Sequence, residues 1–335
     1  MNRLHTLSAS AMTFAFAFAL TLSGLSGGAV AQTADSYPDK PLTFVVPYPP
    51  GGAADLFARS FAQALALKLG QPVVVENKAG ANGNIGSAYV AKQRPADGYT
   101  FLLGSTSTLA INPHLYASMG YDPITDLQPV TLTHQMPNVL LVGAATPYKT
   151  VADVIAAAKA APKTIAFGSA GNGNTMHMAG ELFQLRSGIS LVHVPYKGGA
   201  PALNDVLGGQ IPMMFNNLPA VVPQLQSGRI RVLAVADTKR WAAIPNVPTM
   251  AEAGVPNATS VVWNGILVRK GTPQAAVQKL NAAAVEVLKS PSFKKPLEDL
   301  GFEVLHSTPK EFTDLLAKDS AAMAEIVKRA GITLQ

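Results

Sequence analysis

Two spacings of apolar residues alternate along this chain. Leu42–Val46 is a compact, β-branched run that reads as a buried strand. Ala53–Leu69 carries Leu56, Phe57 and Ala64 at helical spacing and stops at Gly70. The same reading gives further strands near residues 73–75, 100–103, 127–132, 138–142, 164–167, 192–194, 211–215, 232–235 and from 261 onward. It gives helices at Val151–Ala160 and near 175–185, 273–288 and 309–329. Alternating strands and helices predict an α/β fold with a mostly parallel sheet in each of two domains.

The junctions are more specific than the elements. After Val46 the chain meets Pro47, Pro49 and Pro50, which cannot continue a ladder, and then Gly51-Gly52 ahead of the helix. A strand, a glycine turn and a helix start leave unpaired N–H groups at the positive end of a helix dipole, which is an anion seat made of main chain. The device recurs from Gly168 to Thr175, where Gly168-Ser169-Ala170-Gly171-Asn172-Gly173-Asn174 joins a strand to a helix. Two such units predict a cleft with two helix starts aimed at one ligand. The C-terminal helices are placed most economically on the first domain. Residues 37–142 with 263–335 then form one domain and 143–262 the other, with crossings near 142–147 and 257–263 that fit a hinge.

The N-terminus reads as an address. Arg3 precedes the apolar stretch 11–22, and Ala29-Val30-Ala31 is a small-x-small site, so cleavage after Ala31 and export to the periplasm are expected. An uncleaved anchor is the weaker reading, because Ser23, Gly24, Ser26, Gly27 and Gly28 cut the run short of the ~20 residues that span a bilayer. The chain has no cysteine, so it is held by burial rather than disulfides. Net charge is +6 over 335 residues; cleavage removes Arg3 and no acid, leaving +5. Charged residues are only 14% of the chain, and no Lys/Arg cluster alternates with aromatics, which argues against nucleic acid.

Other chemistry finds little support. Gly80-Ala81-Asn82-Gly83-Asn84-Ile85-Gly86 is G-x-x-G-x-x-G rather than a dinucleotide fingerprint and reads as a turn before a helix. His114, His134, His177 and His193 show no metal-ligand spacing, and there is no G-x-S-x-G elbow. No metal or cofactor is expected.

Several motifs together resemble one family. They are Tyr48-Pro49-Pro50-Gly51-Gly52-Ala53-Ala54-Asp55, the run Glu76-Asn77-Lys78-Ala79 leading into the glycine turn at Gly80, and Ala96-Asp97-Gly98-Tyr99-Thr100. His193-Val194-Pro195-Tyr196-Lys197-Gly198-Gly199, Leu233-Ala234-Val235, Pro245-Asn246-Val247-Pro248-Thr249 and Glu252-Ala253-Gly254 complete the set. In order and spacing, from about Tyr37 to the end, they resemble the substrate-binding proteins of tripartite tricarboxylate transporters, also called Bug receptors. Ala53 stands where many members have proline, and it keeps its N–H.

The resemblance implies a two-domain receptor of the periplasmic-binding-protein type that closes on a small organic acid. It implies that the loops 49–55 and 169–175 grip one carboxylate, with Ser105, Thr106 and Ser107 facing the same cleft. The residues expected to bind ligand are thus Pro50, Gly51, Gly52, Ala53 and Asp55 in the first loop. Ser169, Asn172, Gly173, Asn174 and Thr175 belong to the second, and Tyr196, Gly198 and Asn216 to later turns. Asp55 either complements the helix dipole or orients loop N–H groups. One of Ser169, Asn172, Asn174 and Thr175 is the cap of the second helix, and Ser105–Ser107 either cap a helix or face the cleft. Neither loop contains an arginine. Charge-assisted hydrogen bonds contribute ~1.5–3 kcal/mol each and helix termini ~0.3–1, so four or five bonds and two termini gross about 10 kcal/mol. Ordering costs are subtracted from that sum, and micromolar binding needs roughly 8 kcal/mol net.

The expected function is capture of a small carboxylate and its delivery to membrane transporter subunits, by a monomer. An exported enzyme on a small acid and a receptor partnered with a sensor protein are the alternatives. The glycine loops offer only Asp55 as a titratable group, which favours binding over catalysis.

Overall fold

The structure, a computed structural model, describes residues 37–330. The cleavable segment expected at residues 1–31 lies outside the described residues. In chain order the elements are β1 (Leu42–Val46), α1 (Ala53–Leu69), β2 (Val73–Asn77), α2 (Asn84–Ala88), β3 (Thr100–Ser105) and β4 (Leu127–Gly143). Then come α3 (Val151–Ala160), β5 (Ala166–Ser169), α4 (Thr175–Ser187), β6 (Val192–Pro195), α5 (Gly199–Leu207), β7 (Met213–Asn217) and α6 (Leu218–Leu225). Finally β8 (Ile230–Val235), β9 (Val261–Arg269), α7 (Gln274–Lys289), α8 (Pro291–Asp299), β10 (Glu303–Val304) and α9 (Pro309–Ala330). Among the described residues no helix is long and apolar enough to cross a membrane.

The strands run β2-β1-β3-β9-β4-β7-β5-β6, with β8 and β10 also on β4. The α/β class is as the sequence predicts, but the sheet is mixed. Its flanks are parallel, β1 beside β2 and β3, and β5 beside β6 and β7. Its centre is antiparallel, built from β3, β9, β4, β7 and β8. The parallel pairings are where a helix carries the chain back across the sheet. The antiparallel centre arises because two strands, β4 and β9, run in opposite directions between the two halves.

The segments 127–132 and 138–142, read from sequence as separate, are one strand. Its first part pairs with β9 as far as Pro137↔Val261, and from Asn138 it pairs with β7 and β8. β4 therefore changes partners after Pro137, inside an unbroken strand. Beside that change lies Ser260, whose carbonyl accepts the Asn138 N–H.

Each half has its own core. In one, Leu102, Trp263, Leu267 and Phe312 pack with Val45, beside a chain of rings in which Phe44 stacks on Phe101 and Phe57 on Phe61. In the other, Phe167, Phe183 and Phe215 gather between α3, α4 and the sheet. His134 is fully buried with its ring 3.9 Å from that of Phe57, and burial among rings holds its pKa down to about 3.

Helix α9 lies against the β4–β9 pair through Phe312, and Gly265 makes room for it. A Cβ there would fall 2.3 Å from Phe312 Cε1 and 2.8 Å from the Thr131 carbonyl oxygen. Gly265→Ala is expected to destabilise the protein by ~1–3 kcal/mol through overpacking, read as a lower urea midpoint. A midpoint equal to wild type would mean that Phe312 does not pack there.

Candidate functional site

The cleft is assembled from places where strands hand over to helices. At the first, β1 ends, Tyr48-Pro49-Pro50 leaves the sheet and Gly51 turns the chain with φ +84°. Gly52 then caps α1 in extended conformation with no side-chain bond to the helix. The N–H groups of Ala53 and Ala54 lie in the first turn, where an α-helix offers no internal acceptor. Nothing lies within 4 Å of where a Gly52 Cβ would stand.

Asp55 does not line this cleft; it holds the loop. Its carboxylate accepts from the Gly51 N–H at 3.0 Å, from Arg59 Nε at 3.0 Å and from Asn77 Nδ2 at 3.0 Å, while Asn77 also donates to the Tyr48 carbonyl at 3.1 Å. Burial works to raise its pKa, but the bonds from Arg59, Gly51 and Asn77 outweigh burial and hold it below the ordinary carboxylate range. Of the two roles left open by sequence, the orienting one is the one the geometry has. Gly51 thus has its N–H turned to Asp55 rather than to the cleft.

The second handover, from β5 to α4, repeats the first with different bracing. Asn174 is the cap, and its Oδ1 accepts from the N–H groups of Met176 and His177, both at 2.9 Å. Thr175, the first residue of α4, lines the cleft, and an N–H at that position has no acceptor within the helix. Ser169 sits behind the loop: its Oγ accepts from the Gly171 N–H at 3.1 Å and lies 2.7 Å from His193 Nε2. His193 stacks on His177 at 3.9 Å, and His177 Nδ1 accepts from the Gly173 N–H at 3.1 Å. Burial first, and then the neighbouring His177, depress the His193 pKa to about 4. Glu181, 3.5 Å from His177 Nε2, is held below its ordinary range chiefly by that histidine.

Two more helices begin at the same cleft, and the sequence reading found neither. The turn at Gly198 opens into α5, with Gly199, Ala200 and Pro201 on the wall, and Asn217 caps α6. Pro201 and Pro219 were the available signals, since proline is favoured in the first turn of a helix. With α1 and α4, four helix N-termini meet one space. Asn138 ties two of them together: its Nδ2 donates to the Thr175 carbonyl at 3.2 Å and to Ser260 Oγ at 2.8 Å, and its Oδ1 accepts from Asn217 Nδ2 at 3.1 Å.

The floor is sheet. Met136 of β4 with Val262 and Asn264 of β9 lies beneath, and Ser105 and Ser107 stand beside the Tyr48 hydroxyl, which is 2.6 Å from Ser105 Oγ. Burial pushes the Tyr48 pKa up, so the phenol stays neutral. The lips meet across the gap: a Cβ on Gly198 would be 3.1 Å from Pro49 Cγ, and one on Gly51 would be 3.9 Å from Ala200 Cβ. About 660 Å³ of space lies within, open solvent at the mouth included. Among the described residues, no Asp, Glu, Lys, Arg or His lines it.

Of the residues expected from sequence, Pro50, Gly52, Ala53, Ser105, Ser107, Asn174, Thr175, Gly198 and Asn216 line this one cleft. Gly51, Asp55, Ser169 and Gly173 lie behind it in the two loops. Thr106 is turned away, its hydroxyl bonded to the Trp263 main chain, and Tyr196 donates to Asp205 at 2.7 Å. Asn172 is exposed outside the cleft.

Comparison with known proteins places this geometry among others of its kind. A family model described as the tripartite tricarboxylate transporter family receptor matches residues 57–332. The solved structure of Rpa4515 from R. palustris with adipate is 39% identical, with TM-score 0.86 over 89% of this chain and 99% of that one. The periplasmic binding protein BugD is 34% identical, TM-score 0.85, over 89% and 100%. MatC from Rhodopseudomonas palustris with bound malate is 30% identical, TM-score 0.82, over 87% and 100%.

The neutral His193 gives the second loop a pH dependence of definite sign. Unfolded, a histidine takes its proton near the ordinary 6.5, whereas in the fold His193 does so only at about 4. The unfolded chain therefore holds more protons in that interval, and stability falls as pH drops from 6.5 toward 4. His134, at about 3, acts in the same sense, and Glu181 adds to it only below its ordinary 4.5. The melting temperature is expected to fall between about pH 6.5 and about 4.5, with a shallower slope in His193→Gln. A wild-type melting temperature that is flat across this interval would contradict a buried neutral His193.

Proposed function

The chain belongs to the tripartite tricarboxylate transporter receptor family, and we propose that it is a periplasmic receptor that closes on one small organic carboxylate. The observation that carries this reading is the convergence of four helix N-termini, α1, α4, α5 and α6, on a cleft that no charged side chain lines among the described residues. Each terminus contributes roughly half a positive charge and N–H donors, which together favour an anion. The planar, two-oxygen shape of a carboxylate suits main-chain donors arriving from two walls. Adipate and malate, held by the two R. palustris relatives, are both carboxylates, which supports the same class here.

Capture rather than conversion is supported by what the walls lack. Main-chain N–H groups and neutral amides hold an anion but do not shuttle its protons. The touching lips point to a closing motion, and Pro137 and Ser260, where the chain passes between halves, are the places about which the halves would turn. Delivery goes to membrane transporter subunits of the same system, and a single chain suffices, since it supplies every wall of the cleft.

Native mass spectrometry of the exported protein is expected to show a small acid that leaves on denaturation, and titration of the stripped protein should return the same acid's binding. Gly52→Val tests the seat itself. The backbone at Gly52, φ −86°, suits any residue, so the variant should fold normally while its side chain fills the space before Ala53 and Ala54. Binding is expected to weaken by at least about a hundredfold, measured calorimetrically. Unchanged affinity would remove the first glycine loop from the site.

A further inference from the structure

Two polar atoms in the cleft wall remain unanswered. Asn174 and Asn264 are 4% and 1% exposed, and each has one amide atom engaged and the other without a partner. The engaged atoms settle which is which. Asn174 Oδ1 accepts two N–H groups of α4, so its unpartnered Nδ2 is a donor. Asn264 Nδ2 donates to the Gly104 carbonyl at 3.3 Å, so its unpartnered Oδ1 is an acceptor.

These atoms come from different halves, one from a wall and the other from the floor. Asn174 stands at the start of α4, in the half that follows Pro137. Asn264 lies on β9 in the other half, in register with Ser105 of β3 and His134 of β4. Its neighbours do not answer the acceptor: the Tyr48 hydroxyl and Ser105 Oγ face each other, and Ser105 Oγ also takes the Thr108 N–H at 3.4 Å. The remaining unpartnered buried side-chain atoms among the described residues, on Asn84, Ser87 and His134, belong to residues that do not line the cleft.

We infer that Asn264 sets specificity, and that the ligand carries, besides the carboxylate seated at the helix starts, a neutral O–H or N–H that donates to Asn264 Oδ1. This rests on the carboxylate reading above. A carboxylate oxygen at that position would set acceptor against acceptor. An ammonium would enter a wall without an acid, facing four positive helix ends. A hydroxyl or amide N–H satisfies the acceptor at no charge cost, and a ligand lacking it leaves a buried polar group unpaired. Sites built to bond a hydroxyl discriminate strongly against the analogue without one.

The test is calorimetric titration of the stripped protein with acids that differ by one hydroxyl: hexanoate and 6-hydroxyhexanoate, succinate and malate, adipate and 3-hydroxyadipate. In at least one pair the hydroxylated acid is expected to bind about tenfold tighter or more. Asn264→Leu should erase that preference by weakening the hydroxylated member alone. Should that variant not fold, Asn264→Ser, which withdraws the acceptor, is expected to erase the preference too. Parent acids that bind, with no gain from a hydroxyl in any pair, would overturn the role of Asn264 and leave the carboxylate receptor standing. Equal weakening of both members by Asn264→Leu would overturn it as well, showing a scaffold role only. If none of the acids binds, the carboxylate reading falls and the inference with it.

Discussion

An anion withdrawn from water needs compensating positive charge, and the cleft proposed to hold one is lined, among the described residues, by no cationic side chain. The cationic side chain nearest in sequence to the first loop, Arg59, is turned onto Asp55 instead. The pair lies behind the loop, where it fixes the Gly51 N–H. What faces inward is main chain, and main-chain donors can be aimed only by aiming whole helices. The rest of the architecture follows from that requirement. Strands β1, β5 and β7 each end at the cleft and each feed a helix that begins there, the arrangement by which α/β sheets present ligand sites beyond their strand ends.

Holding helix starts from two halves in one place puts a demand on the connection. A flexible linker would let the donors drift apart, and this chain uses a strand. β4 belongs to both halves, paired with β9 before Pro137 and with β7 and β8 after it. Asn138 stands immediately past that change, and its amide reaches the first residue of α4, the cap of α6 and the returning chain at Ser260. One side chain thus relates the passage between halves to two of the four donor sets.

Much of this was legible in residue order. Gly51-Gly52 and the glycine-rich stretch before Thr175 announced two helix starts, because each follows a strand and precedes a helical pattern. What escaped has physical reasons. Gly198-Gly199 looks like a plain turn, since glycine lowers helix propensity, and the first-turn prolines of α5 and α6 resemble breakers unless they are read as helix starts. Pro129 and Pro137 divided β4 on paper; in the sheet each sits where the ladder tolerates it, Pro129 beside a bulge and Pro137 at the last pairing with β9. The mostly parallel expectation failed because periodicity reports the presence of strands and not their direction. Asn264 could have been noticed as a lone polar residue within the apolar run of β9, but its unpaired oxygen depends on Gly104, which lies 160 positions away.

Positive potential drawn from the peptide backbone has a consequence for how such a protein changes over generations. Replacing a side chain can abolish an arginine's charge in one step, whereas no substitution deletes an N–H except one to proline. Only at a few positions, such as Gly51 with its left-handed turn, does the seat depend on residue identity at all. On the carboxylate reading, exchanging Met136 or Val262 of the floor would leave the main-chain donors of the seat in place. A gene copy could therefore explore new cargoes while its basic competence stays intact, which turns the cleft into a fixed socket with an interchangeable lining.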